Sequence, residues 1–114
     1  SMLYALHAGA SVIIPVAEVD EASDIASKFP QSSVLLAGER KGSPIAGFDL
    51  GNSPKEFLPR VVADKAIVFT TTNGTRAILH ASLARRILIG AFINFTAICH
   101  EIISDAGDVA ILCA

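Results

Sequence analysis

Ala66-Ile67-Val68-Phe69 contains no polar residue and runs straight into Thr70-Thr71-Thr72-Asn73-Gly74-Thr75, which in turn opens the stretch Arg76-Ala77-Ile78-Leu79-His80-Ala81. A short apolar run rich in β-branched and aromatic residues reads as a strand buried on both faces. Such strands belong to parallel sheets with helices on either side. The order strand, polar turn, helix is that of a ligand-binding βα junction. Helix-initial N–H groups, the hydroxyls of Thr71, Thr72 and Thr75, the amide of Asn73 and the bare backbone of Gly74 together favour an anion such as phosphate. The same residues are also ordinary N-cap and turn formers. Taken alone, the junction leaves both uses open.

The rest of the chain repeats the alternation. Met2 to Ala8 reads as a helical segment closed by Gly9, and Ser11 to Val16 as a strand that Pro15 confines to an edge or a strand end. A helix opening at Asp20 carries Val19, Ala22, Ile25, Ala26 and Phe29 on one stripe and stops at Pro30. Ser33 to Ala37 is a second strand, and Gly38 to Ser53 is a long aperiodic stretch of the kind that forms binding loops. Ser53-Pro54 with Glu56 gives an N-cap, N1-proline and capping-box pattern for a short helix Lys55 to Leu58, which Pro59 is expected to end. After the Ala66 to Thr70 strand and its helix, Arg86 to Gly90 is expected as a fourth strand. The spacing of Phe95, Ile98, Cys99, Ile102, Ile103 and Ala106 predicts a last amphipathic helix, and Asp108 to Cys113 a fifth strand. Strands separated by helices predict a three-layer α/β/α architecture on a mainly parallel sheet.

Charge and composition narrow the function. Nine Lys and Arg against 11 Asp and Glu, in 114 residues with one tyrosine and no tryptophan, argue against a nucleic-acid surface. Mean hydropathy is high at +0.54, yet no run approaches the roughly 20 apolar residues that span a bilayer. Cys99 and Cys113 lack metal-ligand spacing and read as free thiols in a reducing cytoplasm. His7, His80 and His100 fall in helical segments with no nucleophile beside them, and are read as structural.

The chemistry concentrates where strands end. Glu39 and Arg40 follow the second strand, and Asp49 lies between the glycines of Gly47-Phe48-Asp49-Leu50-Gly51-Asn52-Ser53-Pro54. Two carboxylates and an arginine suit a phosphate ester, because carboxylate oxygens hold a hard divalent cation while a guanidinium grips an anion. A Glu-Arg surface pair and an Asp turn residue remain the plain alternative.

Leu36-Ala37-Gly38-Glu39-Arg40, the Gly47 to Pro54 segment, Thr70 to Ala77 and Asn94 after the expected fourth strand together resemble the 2-phosphosulfolactate phosphatase family. The resemblance runs through nearly the whole chain. It implies a magnesium-dependent phosphatase acting on the phosphate ester of 2-phospho-3-sulfolactate, a step toward coenzyme M, on a layered α/β fold. On this reading Glu39 and Asp49 hold Mg²⁺ and Arg40 meets the phosphate or sulfonate. Asn52, Ser53, Thr71, Thr72, Asn73, Gly74, Thr75 and Asn94 surround the anionic substrate. The family's Asp-and-Arg segment before the first helix and its Gly-rich acidic segment after the last strand have no counterpart here, so the chain is expected to be the middle portion of a longer enzyme. A homo-oligomer is left open, and a non-catalytic anion-binding domain is the alternative function.

Overall fold

The computed structural model describes residues 1–105 and 107–114. Its core is a parallel sheet of three strands, β1 (Val12–Pro15), β2 (Val34–Gly38) and β3 (Ala66–Thr70), in the order β1-β3-β2. Val12 and Val34 both sit opposite Ala66, so the two outer strands flank β3 in the same register. The apolar run at 66–69 thus occupies the centre, where every residue from Ala66 to Thr70 is buried. Pro15 ends an edge strand, the place where its missing N–H does least harm.

Strand alternation sends successive side chains of β3 to opposite faces, and each face has its own core. Ile67 and Phe69 pack with Ala5 of α1 (Met2–His7), with Phe57, and with Val62 of α3 (Pro59–Val62). The Phe57 and Phe69 rings lie 6.2 Å apart at a tilt of 51°. Ala66 and Val68 pack instead with Val16, Val34 and Ala22 of α2 (Val19–Ala26). Each large side chain sealed in this way contributes about 1.5–3 kcal/mol of burial. The division into layers follows from handedness. From β1 the chain steps outward past the β3 position to β2 and then back to β3, and right-handed crossovers in opposite directions must use opposite faces.

The outer edge of β2 is not left bare. The long loop returns along it, with Ala37 bridged to Leu50, Gly38 N–H donating to Leu50 O at 3.1 Å and Asp49 N–H to Leu36 O at 3.0 Å. An exposed strand edge invites mispairing, and the loop blocks it.

Several local expectations change. Pro54–Glu56 is a single 3-10 turn rather than a helix to Leu58, and Pro59 starts α3 instead of ending a helix, because proline suits a helix's first position as well as it suits a stop. Arg86 to Gly90 and Asp108 to Cys113 form no strands; Leu88 and Ile111 are 37% and 86% exposed. A strand exists only with a partner to take its hydrogen bonds, and among the described residues neither run meets one. The helix α5 (Phe95–Ser104) does form, since its bonds are internal, but none of its described residues is buried. The Ala106 position of the expected stripe lies outside the described residues. No helix is long and apolar enough to cross a membrane, among the described residues.

Candidate active site at the strand ends

All three strands deliver polar groups at their carboxyl ends, the side on which parallel sheets bind ligands. After β2 the chain makes a two-residue hairpin. Arg40 and Ser43 exchange backbone bonds of 3.0 and 2.9 Å, while Lys41 and Gly42 take φ of 52° and 78°. Positive φ at both central residues is the mark of a type I′ turn. The turn aims two successive N–H groups across the sheet end: Lys41 N–H donates to Thr72 Oγ1 at 2.8 Å and Gly42 N–H to Glu39 Oε2 at 2.7 Å.

Glu39 is thereby the link between the β2 and β3 loops. Its Oε1 accepts from Thr72 N–H at 2.7 Å and its Oε2 also accepts from the Thr72 hydroxyl at 2.9 Å. The N–H groups of Thr72 and then of Gly42 hold its carboxyl below the ordinary value of 4.5, outweighing the opposing effect of burial. Glu39 is therefore ionised at neutral pH.

Arg40 turns the other way. Its Nη2 donates to the Ala17 carbonyl after β1 and to Thr70 Oγ1 at 2.7 Å, and its Nη1 to the Glu39 carbonyl at 3.2 Å. Thr70, fully buried, also donates to Ala17 O at 3.2 Å.

The threonine turn is only partly open to a ligand. Thr71 and Thr75 are buried and bonded to each other: Thr75 N–H donates to Thr71 Oγ1 at 3.1 Å, Thr71 N–H to Thr75 Oγ1 at 3.1 Å, and Thr75 Oγ1 to Thr71 O at 3.0 Å. They shape the entry into α4 (Gly74–His80), and Thr72 and Asn73 are the members that reach outward. Gly74 is not at positive φ; a Cβ there would instead stand 3.2 Å from Thr71 Oγ1.

Beside Glu39 lies a hollow of about 320 Å³ that Gly42, Asn52, Ser53 and Glu56 also line. Asn52 Oδ1 accepts from Ser1 Oγ at 2.6 Å. Glu56, named from sequence only as a capping residue, does reach back to Ser53 N–H at 3.3 Å, and it also accepts from Gly51 N–H at 2.7 Å. Its place on the wall was not readable from the capping pattern. A second hollow of about 410 Å³, on the far side of Thr72, is lined by Asn73, Arg76, His80 and Cys113 among others. Thr72 lines this second hollow and not the first.

Two expected site residues stand elsewhere. Asn94 accepts from Ala91 N–H at 2.7 Å and donates to Ile89 O at 2.9 Å, fastening the start of α5, and it lines neither hollow. Asp49 is not paired with Glu39 around a common cavity. Its Oδ2 accepts from Leu36 N–H at 2.8 Å, pinning the loop to the outer edge of β2. Among the described residues no group of three or more His, Cys, Asp or Glu is placed to hold a metal ion. An edge pin needs an acceptor more than a charge. Asp49→Asn, whose amide oxygen can still accept, should therefore leave the urea midpoint of the full-length protein nearly unchanged, whereas Asp49→Ala should cost about 1 kcal/mol. Equal losses from both variants would show that the charge itself matters.

The class these features define is a layered α/β domain with an ionised carboxylate and polar turns gathered at its strand ends. The model of the 2-phosphosulpholactate phosphatase family matches residues 1–114, and the chain belongs to that family. Probable 2-phosphosulfolactate phosphatases of Caldanaerobacter subterraneus and Clostridium tetani are each 44% identical to it, over 110 and 111 residues. These alignments cover 96% and 97% of this chain and 46% and 47% of the relatives. A probable enzyme of the same name from Caldicellulosiruptor saccharolyticus is 49% identical over 94 residues, 82% of this chain and 38% of the relative. The chain spans about half the length of the curated relatives it matches.

Proposed function

We propose that the full-length protein is a phosphatase that hydrolyses the phosphate ester of 2-phospho-3-sulfolactate or a related phosphorylated 2-hydroxy acid, releasing the hydroxy acid and inorganic phosphate. The supporting observation is Glu39, ionised and held by Thr72 and Gly42 at the carboxyl end of the sheet in a chain of this family. A role toward coenzyme M and a cytoplasmic setting, suited to the free thiols of Cys99 and Cys113, belong to the same reading.

Charge argues for Mg²⁺ as the cofactor. A phosphate monoester brings close to two negative charges into a hollow already lined by Glu39 and Glu56, and like charges there repel unless a cation lies between them. Glu39 fits as a ligand, because Oε1 accepts a single hydrogen bond and keeps lone-pair capacity, while Asp49 does not share the hollow. Magnesium needs only one or two carboxylates together with substrate phosphate oxygens and water. When bound, it supplies charge neutralisation at the phosphoryl group. The chain's own part is to hold Glu39 in one orientation through Thr72 and Gly42 and to offer Asn52 and Ser53, which line the same hollow, as neutral partners for the substrate's oxygens.

Release of inorganic phosphate from 2-phospho-3-sulfolactate by the full-length protein tests the proposal. Turnover that stops with a chelator and returns with added Mg²⁺ is expected. Binding of the ester without any phosphate release, at any magnesium concentration, would favour the non-catalytic anion-binding alternative.

A further inference from the structure

Arg40 sits beside Glu39 in sequence, and a guanidinium at a candidate phosphate site is usually assigned to the phosphate. Its geometry says otherwise. A guanidinium clasps an oxyanion through one of two forks, Nη1 with Nη2 or Nε with Nη2, and both forks need a hydrogen of Nη2. Both Nη2 hydrogens are already engaged, one by the Ala17 carbonyl and one by Thr70 Oγ1. Nη1 adds a bond to the Glu39 carbonyl at 3.2 Å. The acceptors come one from each strand end: Ala17 follows β1, Glu39 follows β2, and Thr70 closes β3. The Thr70 hydroxyl continues the network to Ala17 O at 3.2 Å.

We infer that Arg40 is a positioning residue, a three-way tie that fixes the ends of β1, β2 and β3 and thereby the orientation of Glu39, and that it does not grip the substrate. The inference rests on the phosphatase reading above for its catalytic consequence, and on the hydrogen bonds alone for its structural one. The route from Arg40 to the site is short. Arg40 fixes the Glu39 carbonyl and opens the hairpin that carries Gly42 N–H to the Glu39 carboxylate, and Thr70 stands two residues before Thr72. A lysine at 40 would keep the positive charge but could not serve three acceptors spread around a planar fork.

The test is Arg40→Lys in the full-length protein, with Thr70→Val as a second variant that removes one acceptor at nearly constant shape. If Arg40 positions Glu39, kcat should fall on the order of tenfold or more, while KM for the phosphorylated substrate and inhibition by inorganic phosphate stay within about threefold. Thr70→Val should lower kcat in the same sense and by less, again with KM and phosphate inhibition held. Independently of activity, hydrogen exchange at the Thr72 and Gly42 amides should speed up in both variants relative to amides of the β3 interior. A rise in KM and a loss of phosphate inhibition with kcat retained would overturn the inference and put Arg40 on the substrate. Unchanged exchange at Thr72 and Gly42 would overturn it as well. Should the wild-type protein release no phosphate from any phosphorylated 2-hydroxy acid, the phosphatase reading fails, and the exchange measurement still decides the role of Arg40.

Discussion

Gly38→Ala should unfold the protein or bring it close to unfolding. Gly38 ends β2 at a φ of 145°, where side chains are rarely tolerated, and a Cβ built on it would lie 1.8 Å from the carbonyl oxygen of Thr70. The obstacle is backbone of the central strand, and that carbonyl already accepts Glu39 N–H at 3.0 Å, so neither partner can step aside without breaking the sheet end. The expected loss exceeds about 4 kcal/mol, a large share of the roughly 5–15 kcal/mol that holds a domain together. Gly42→Ala is the matched control. Gly42 also has positive φ, at 78°, but nothing stands within 4 Å of its would-be Cβ, so only backbone strain on the order of 1 kcal/mol applies. Urea midpoints of the two full-length variants give the comparison; equal shifts would mean that the close approach of β2 to Thr70 is not essential.

What the amino-acid sequence made legible is what short stretches decide by themselves. The apolar composition of 66–69 suffices to name a strand buried on both faces, Pro15 confines its strand to an edge or a strand end, and Ser53-Pro54 with Glu56 marks where a helical segment starts though not how far it runs, because each signal is complete within a few residues. The failures share a cause. Arg86 to Gly90 and Asp108 to Cys113 have strand composition, but a strand also requires a neighbour that composition cannot supply.

The side chains of the site follow the same rule. That Glu39 and the Thr70 to Thr75 turn lie at strand ends was readable from strand order. That Glu39 is bonded to Thr72, 33 residues away, depends on β2 and β3 being adjacent and in register, and no local pattern encodes it. Asp49 shows the reverse case. A carboxylate between two turn glycines looked free for a metal, yet the return of its loop along β2 brings it to Leu36 N–H, 13 residues back. Arg40 likewise looked like an anion ligand until the sheet placed the Ala17 carbonyl and the Thr70 hydroxyl around it.

Glu39→Gln should remove most of the proposed activity and alter the response to acid. Every group that Glu39 meets through its carboxylate is a donor: Thr72 N–H, the Thr72 hydroxyl and Gly42 N–H. A glutamine can present only one oxygen to them, so its NH₂ must face a donor or turn away, and either choice loosens the tie between the β2 and β3 loops. The variant also lacks the negative charge proposed to hold Mg²⁺. A fall in kcat/KM on the order of a hundredfold or more is expected, typical of removing a preorganised charged group. The pH dependence has a definite sign. The folded state lowers the Glu39 pKa below 4.5, so its contribution to stability is complete above 4.5 and is lost as pH falls from there through the lowered folded value. Acid unfolding of the wild type should therefore take up a proton in that window that Glu39→Gln does not. At pH 7 the variant should already be less stable than the wild type, and acidification toward pH 3 should narrow the gap between them. A gap that stays constant from pH 7 to pH 3, together with wild-type turnover, would show that the bonds from Thr72 and Gly42 neither select the ionised carboxylate nor serve the reaction.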